Sequence, residues 1–317
     1  MAKSNTRGAF LALLAFAIYA THDVVVKLLG RDYSAVQILF FATLLGFPLA
    51  TIILMRDRVS GNLRPRHPWW VLLRTGCIVT TALCAFYAFS VLPLAQTYAI
   101  LFTMPLLVTL LAIPLLGETI GLHRGCAIAA GLFGVLIVLR PGAEPLSLGH
   151  GAALLAAATS SLGSVIVRKI GQDERSVVLL LYPMVANFFV LGLALPFVYR
   201  PMPIEHLGMM GIIAAFSLVA MLLTIAAYRM AEAVIVAPMQ YSQMIWAAIF
   251  GWLVFGERAD AWTWLGAAVI IASGLYIVGR EARRNVSEHR PASQTRLRPE
   301  VGLMPRLLRR RDTRDGA

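Results

Sequence analysis

Residues 101–116 read Leu101-Phe-Thr-Met-Pro-Leu-Leu-Val-Thr-Leu-Leu-Ala-Ile-Pro-Leu-Leu116, without one charged side chain. The run is apolar on every face, whether wound with the period of a helix or laid out with that of a strand. Strands of outer-membrane barrels alternate apolar and polar residues over about 10 positions, so that class is excluded. Gly125–Leu139 repeats the pattern. In lipid, a helix satisfies its own backbone hydrogen bonds. The stretch places the chain in the all-α membrane class.

Outward from that stretch, the chain divides into apolar blocks. A helix of about 20 mostly apolar residues crosses a bilayer. Ten blocks qualify: 8–29, 34–55, 69–91, 95–116, 125–140, 149–169, 176–198, 207–228, 233–255 and 262–279. Composition agrees, with 59% hydrophobic and 14% charged residues among 317, against about 25% charged in a soluble domain.

The net charge of +12 is concentrated, since eleven of the 28 Lys and Arg residues lie at or after Arg280. A basic segment beside a span is expected to be a solvated, disordered tail or an anchor on anionic lipid. It has no aromatic interleaving, which argues against nucleic acid. Lys3 and Arg7 precede the first block, Arg56, Arg58, Arg64 and Arg66 follow the second, and Arg168, Lys169 and Arg175 surround the end of the sixth. Alternate connections are poor in positive charge. The positive-inside rule puts both termini in the cytoplasm, which requires an even number of spans. Trp69, Trp70, Trp262 and Trp264 stand at block edges as interfacial anchors. Cys77, Cys84 and Cys126 lie within apolar blocks as small packing residues; they show neither disulfide nor zinc spacing.

Lys3, Arg7 and Ala15-Phe16-Ala17 resemble a signal peptide, but the first block has a counterpart in mid-chain. Gly117-Glu118 matches Gly256-Glu257 at offset 139, and Ile137–Arg140 matches Ile277–Arg280 at offset 140. Gly8, Lys27, Gly30 and Asp32 match Gly149, Arg168, Gly171 and Asp173 at offset 141. Each repeat holds five blocks, an odd number, so the second copy must enter the membrane from the opposite side. Inverted repeats are the architecture of many secondary transporters. The expectation is ten transmembrane helices as two inverted five-helix repeats around a central cavity. The divisions are 1–7 cytoplasmic, 8–142 first repeat, 149–280 second repeat and 281–317 basic cytoplasmic tail.

Leu92-Pro-Leu-Ala-Gln-Thr-Tyr-Ala99, Met104-Pro105, Leu116-Gly-Glu118 and Gly131-Leu-Phe-Gly-Val-Leu-Ile-Val-Leu-Arg-Pro-Gly142 resemble the EamA-type drug/metabolite transporters. The second half continues the likeness through Ala231-Glu-Ala-Val234, Phe255-Gly-Glu257-Arg258 and Gly266. The resemblance spans residues 8–280. It implies the family's ten-helix, two-repeat fold, with a central cavity lined by both halves. It also implies a carrier that takes up vitamin- or nucleoside-like solutes or exports amino acids and metabolites. One departure is Met244 where the first half has Pro105, with Pro238 available for a displaced kink.

Ionisable groups within spans are functional candidates by default. His22, Asp23 and Lys27 lie in the first block. Two readings stay open: Asp23 and Lys27 neutralise each other at helical spacing, or His22 and Asp23 face the cavity as substrate contacts or a proton site. Lys27 and Arg168 are symmetric gates or helix-end anchors. Glu118 and Glu257 read as structural carboxylates bonded to neighbouring backbone. Gln240, Tyr241, Gln243 and Trp246 offer a polar and aromatic substrate stripe, and Tyr87, Gln96, Tyr98 and Thr103 a weaker one. Interhelical hydrogen bonding is the alternative for the Gln240–Trp246 stripe, and close packing is the reading for Thr159, Ser160, Ser161, Ser164, Gly131 and Gly134.

No His-Glu-x-x-His, Gly-x-Ser-x-Gly or phosphate-loop motif occurs, which argues against an enzyme or an ATP-driven pump. No cofactor or metal is expected. The expected partners are a small-molecule substrate and the lipid bilayer, compatible with a homodimer, in a bacterial inner membrane. A channel or lipid scramblase of the same fold is the rival reading. Direction of transport and proton coupling stay open.

Overall fold

The computed structural model describes residues 5–55, 64–118, 121–142, 145–231 and 233–284. Arg56, Arg58, Glu144 and tail residues 285–317 lie outside the described residues. Twelve helices make up the described chain: α1 (Asn5–Leu29), α2 (Ala35–Met55), α3 (Pro68–Val91), α4 (Leu94–Leu101), α5 (Met104–Leu116), α6 (Leu122–Leu139), α7 (Leu148–Ile170), α8 (Ser176–Val198), α9 (Ile204–Met230), α10 (Ala233–Met239), α11 (Ser242–Phe255) and α12 (Ala261–Arg284). Among the described residues there is no β-strand. Eight helical stretches, counting 94–116 as one, are long and apolar enough to cross a membrane. The other two expected blocks coincide with α2 and with the interrupted pair α10–α11.

Local chemistry sets the ends. Pro68 opens α3, where its missing N–H costs nothing. Ser147 and His150 bond reciprocally to each other's backbone at the start of α7. Asp260 accepts from the Thr263 amide at 3.1 Å and from its hydroxyl, capping α12. Gly117 at φ 70° and Gly256 at φ 68° close α5 and α11 in the left-handed conformation that glycine adopts without strain.

The helices pair across the two halves. α1 lies on α9 and α3 on α7; α5 meets α7 and α11 meets α1; α2 pairs with α8 and α6 with α12. These pairings largely exchange among themselves when each helix of one half is replaced by its counterpart in the other. The α6–α12 crossing needs bare backbone. A Cβ on Gly134 would stand 2.9 Å from the Gly266 carbonyl oxygen, and one on Gly266 2.6 Å from that of Gly134. Small residues allow such approach within membranes.

Buried Phe89, Phe102, Ile100, Leu106, Met210 and Met244 belong to the largest apolar cluster. Large apolar side chains also cover the outside, as lipid-facing positions require: Phe197 is 89% and Leu193 75% exposed. Trp69, Trp262 and Trp264 are exposed at helix starts, and Lys169 lies over the Trp70 ring. Cys77, Cys84 and Cys126 are free thiols.

Candidate functional site

Two apolar blocks read as continuous, 95–116 and 233–255, are each broken in two. The first breaks at Phe102-Thr103, between α4 and α5, directly before Met104-Pro105. The second breaks at Gln240-Tyr241, between α10 and α11. Proline clashes with the preceding turn and donates no hydrogen bond. Pro105 does this for the first break; Pro238 sits within α10, so its clash falls on the turn before it, and the second break lies two residues past it. There the chain tightens to three-residue bonds, from the Gln240 amide to the Ala237 carbonyl and from the Tyr241 amide to that of Pro238. The breaks meet: Phe102 and Tyr241 stand edge to face, 5.1 Å between centroids.

Between the breaks and one end of the bundle lies a buried acid. Asp23 and His22 are each 1% exposed, and Tyr98 on α4 is 3% exposed. His22 Nδ1 is 2.8 Å from Asp23 Oδ1, and the Tyr98 hydroxyl donates to the other carboxylate oxygen. His22 packs edge to face on Phe86. A carboxylate held this way in an apolar surround is stabilised by its donors and opposed by desolvation.

One turn further along α1, Lys27 corrects the local expectation. Its ammonium does not pair with Asp23 on the same helix; it donates to Glu257, beyond α11, and to the Leu92 carbonyl. Glu257 Oε2 accepts from the Leu94 amide at 3.2 Å, so the pair grips both sides of the α3–α4 junction. Through-space proximity wins because Coulomb energy depends on distance in space and on the local dielectric, not on separation along the chain. The other half repeats the device: Arg168 on α7 donates to Glu118, just past α5. Both carboxylates follow the left-handed glycine that reverses the chain. Glu118 and Glu257 therefore bond to remote bases, where their helix-end positions suggested neighbouring backbone. Both pairs are formed at once.

The remaining candidates divide. Gln240 and Gln243 are buried, and Trp246 stacks on Phe250. Tyr241 turns toward α12, where a Cβ on Gly274 would come within 2.2 Å of its hydroxyl. Thr103 returns its hydroxyl to the Ile100 carbonyl at 2.8 Å, which satisfies it at the break. Gln96 is half-buried. Tyr87 lies on the exposed side of α3, apart from the buried cluster. Thr159 bonds Thr81 at 2.6 Å and Ser161 the Met104 carbonyl at 3.1 Å, joining α7 to α3 and α5. Arg74 went unremarked in the sequence, although it interrupts the apolar run 71–73. It is 4% exposed and donates to the Leu179 carbonyl.

A family model described as the EamA-like transporter family matches residues 6–140 and, a second time, residues 147–279. The chain belongs to that family. Similar proteins include an S-adenosylmethionine uptake transporter of Rickettsia bellii, 26% identical over 89% of this chain and 96% of that one. A riboflavin transporter of Brucella anthropi is 26% identical over 84% and 97%. The pseudopaline exporter CntI of Pseudomonas aeruginosa is 26% identical over 84% and 94%. A solved structure superposes with a TM-score of 0.57 at 17% identity, over 90% of this chain and all of that one, a likeness of fold alone. With its apolar helices, this EamA-family chain is a multi-pass membrane protein and a small-molecule transporter.

Proposed function

We propose that the protein is an alternating-access carrier for a small organic metabolite in a bacterial inner membrane. Its halves, 8–142 and 149–280, act as inverted repeats with both termini cytoplasmic, and a cavity between them loads the solute. The double family match and the exchange of helix pairings between halves support the repeat.

The observation that carries the reading is the pair of ion bridges, Lys27–Glu257 and Arg168–Glu118. Each joins a base from one half to a carboxylate of the other, at matched positions in the repeat. A carrier needs two gates that open in turn. Under the proposed topology the Lys27 bridge closes the periplasmic end and the Arg168 bridge the cytoplasmic end. With both formed, the protein is occluded. Below the Lys27 bridge, Asp23 with His22 and Tyr98 is placed to bind a proton or a cationic group of the solute, which would couple loading to the gate one turn away.

The relatives named for S-adenosylmethionine and riboflavin make these the first solutes to test, beside amino acids. The purified protein in liposomes should show saturable uptake and counterflow with one of them. Flux that rises linearly with concentration and lacks counterflow would replace the carrier with a channel or scramblase. The basic tail is proposed to rest on anionic lipid, and a homodimer is compatible with the lipid-facing surface.

A further inference from the structure

At the second helix break three polar atoms are sealed from solvent without a partner among the described residues. They are the Ser242 hydroxyl, the Gln243 amide nitrogen and the Trp246 indole nitrogen. Gln243 as a whole is 5% exposed. Several hydroxyls in the spans are satisfied locally, as Thr81, Thr109 and Thr224 each donate to the carbonyl four residues back, and the unpaired Thr75 hydroxyl on α3 stands without a second unpaired hydroxyl or amide within four residues. Buried polar groups are nearly always paired, and an unpaired one is costly. Three within five consecutive residues amount to an unmet demand for acceptors.

Their setting defines the acceptor. Gln243 and Trp246 are three apart, side by side on α11, which packs against α1 and α4. The Trp246 ring lies nearly parallel to Phe250, at 24° and 6.2 Å, so flat apolar faces adjoin the polar edge. An indole nitrogen only donates, and the atom facing it must accept. Residues 233–255 contain no charged side chain. α4 has none either, and on α1 Lys27 is held by Glu257 while Arg7 is exposed, so a carboxylate or phosphate buried here would find no uncommitted base on these helices, at a heavy desolvation cost. A neutral acceptor on a flat ring meets neither obstacle.

We propose that Ser242, Gln243 and Trp246 form the recognition edge for a neutral planar nitrogen heterocycle, of the nucleobase or flavin type. They hydrogen-bond to its ring nitrogens or carbonyl oxygens. The assignment rests on the carrier reading and names the substrate class for it.

The test uses the full-length protein in proteoliposomes, with labelled riboflavin, adenosine and methionine as probes. The variants are Trp246→Phe, which keeps a ring and removes the N–H, and Gln243→Leu. Saturable counterflow of a heterocycle is expected, with each variant raising its half-saturation concentration roughly ten-fold, as loss of one hydrogen bond predicts. Gln243→Leu should leave the melting temperature unchanged or raised, because the amide it removes is unpaired without substrate. An unchanged half-saturation in both variants overturns the site. So does a lowered melting temperature in Gln243→Leu, which would make the amide an interhelical bond. Failure of both heterocycles with saturable methionine counterflow overturns the heterocycle class and keeps the carrier. Unsaturable flux of every probe overturns the carrier reading, and this site with it.

Discussion

Phe102 and Tyr241 touch ring to ring, 5.1 Å between centroids, and stand 139 positions apart, the spacing that separates Gly117 from Gly256. Each occupies a break in an apolar segment of its own half. The contact brings the two interruptions together in the interior, where backbone freed from helical bonding is tolerated only if protein surrounds it. The unpaired donors lie on α11, which borders one break, and the buried acid and both gate bases lie on α1 and α7, which pack against the broken helices.

The two ion bridges should be separable. Glu257→Gln is expected to raise the labelling rate of a cysteine at Leu94, beneath the Lys27 bridge, by a membrane-impermeant maleimide. Glu118→Gln should leave that rate unchanged. Each change should cost about 1–3 kcal/mol of stability, because it strands a largely buried base. Equal labelling in the two variants would show that the bridges do not close opposite ends.

Asp23→Asn should abolish any pH dependence of transport, since the amide cannot take up the proton. Tyr98→Phe, which removes one donor to that carboxylate, should alter the pH profile without abolishing it. A wild-type profile in Asp23→Asn rejects the proton role, and flux against pH in proteoliposomes decides.

Gly134→Ala and Gly266→Ala each place a methyl within 3 Å of backbone on the facing helix. Overpacking of this kind costs about 1–3 kcal/mol. Thermal unfolding in detergent should register the loss. Gly125→Ala on the same helix meets nothing within 4 Å and should be neutral or slightly stabilising.

Asp260 lies outside the spans, between α11 and α12. Burial alone would raise its pKa, but hydrogen bonds from the Thr263 hydroxyl and amide, with the Arg140 guanidinium, hold it below the ordinary carboxylate range. A depressed folded-state value means stability that is full above the unfolded pKa, about 3.9, and lost as pH falls through the folded one. Asp260→Asn should therefore lower the melting temperature modestly at pH 7. The difference from wild type should shrink in acid and vanish once the native carboxyl is protonated. A difference independent of pH would assign the loss to packing.

The helices were legible in the sequence because hydropathy is a local property. Sixteen uncharged residues from Leu101 to Leu116 have few stable conformations in lipid, and a glycine after them marks the end of the helix. Gly117-Glu118 and Gly256-Glu257 were equally legible as a repeated motif, since equivalent turns require equivalent residues. The partners of those glutamates were not. Spacing along α1 favoured Asp23 for Lys27, yet Lys27 reaches Glu257, 230 positions away. Chain separation says nothing about Coulomb energy, which depends on distance in space and on water excluded when helices from both halves close together. Pro238 announced an irregularity in its block, but the position of the break at Gln240-Tyr241 follows from where Tyr241 finds room between Phe102 and Gly274. Local propensity thus wrote the helices and their ends, and packing between the halves decided which charges meet, where helices give way and which donors are left waiting.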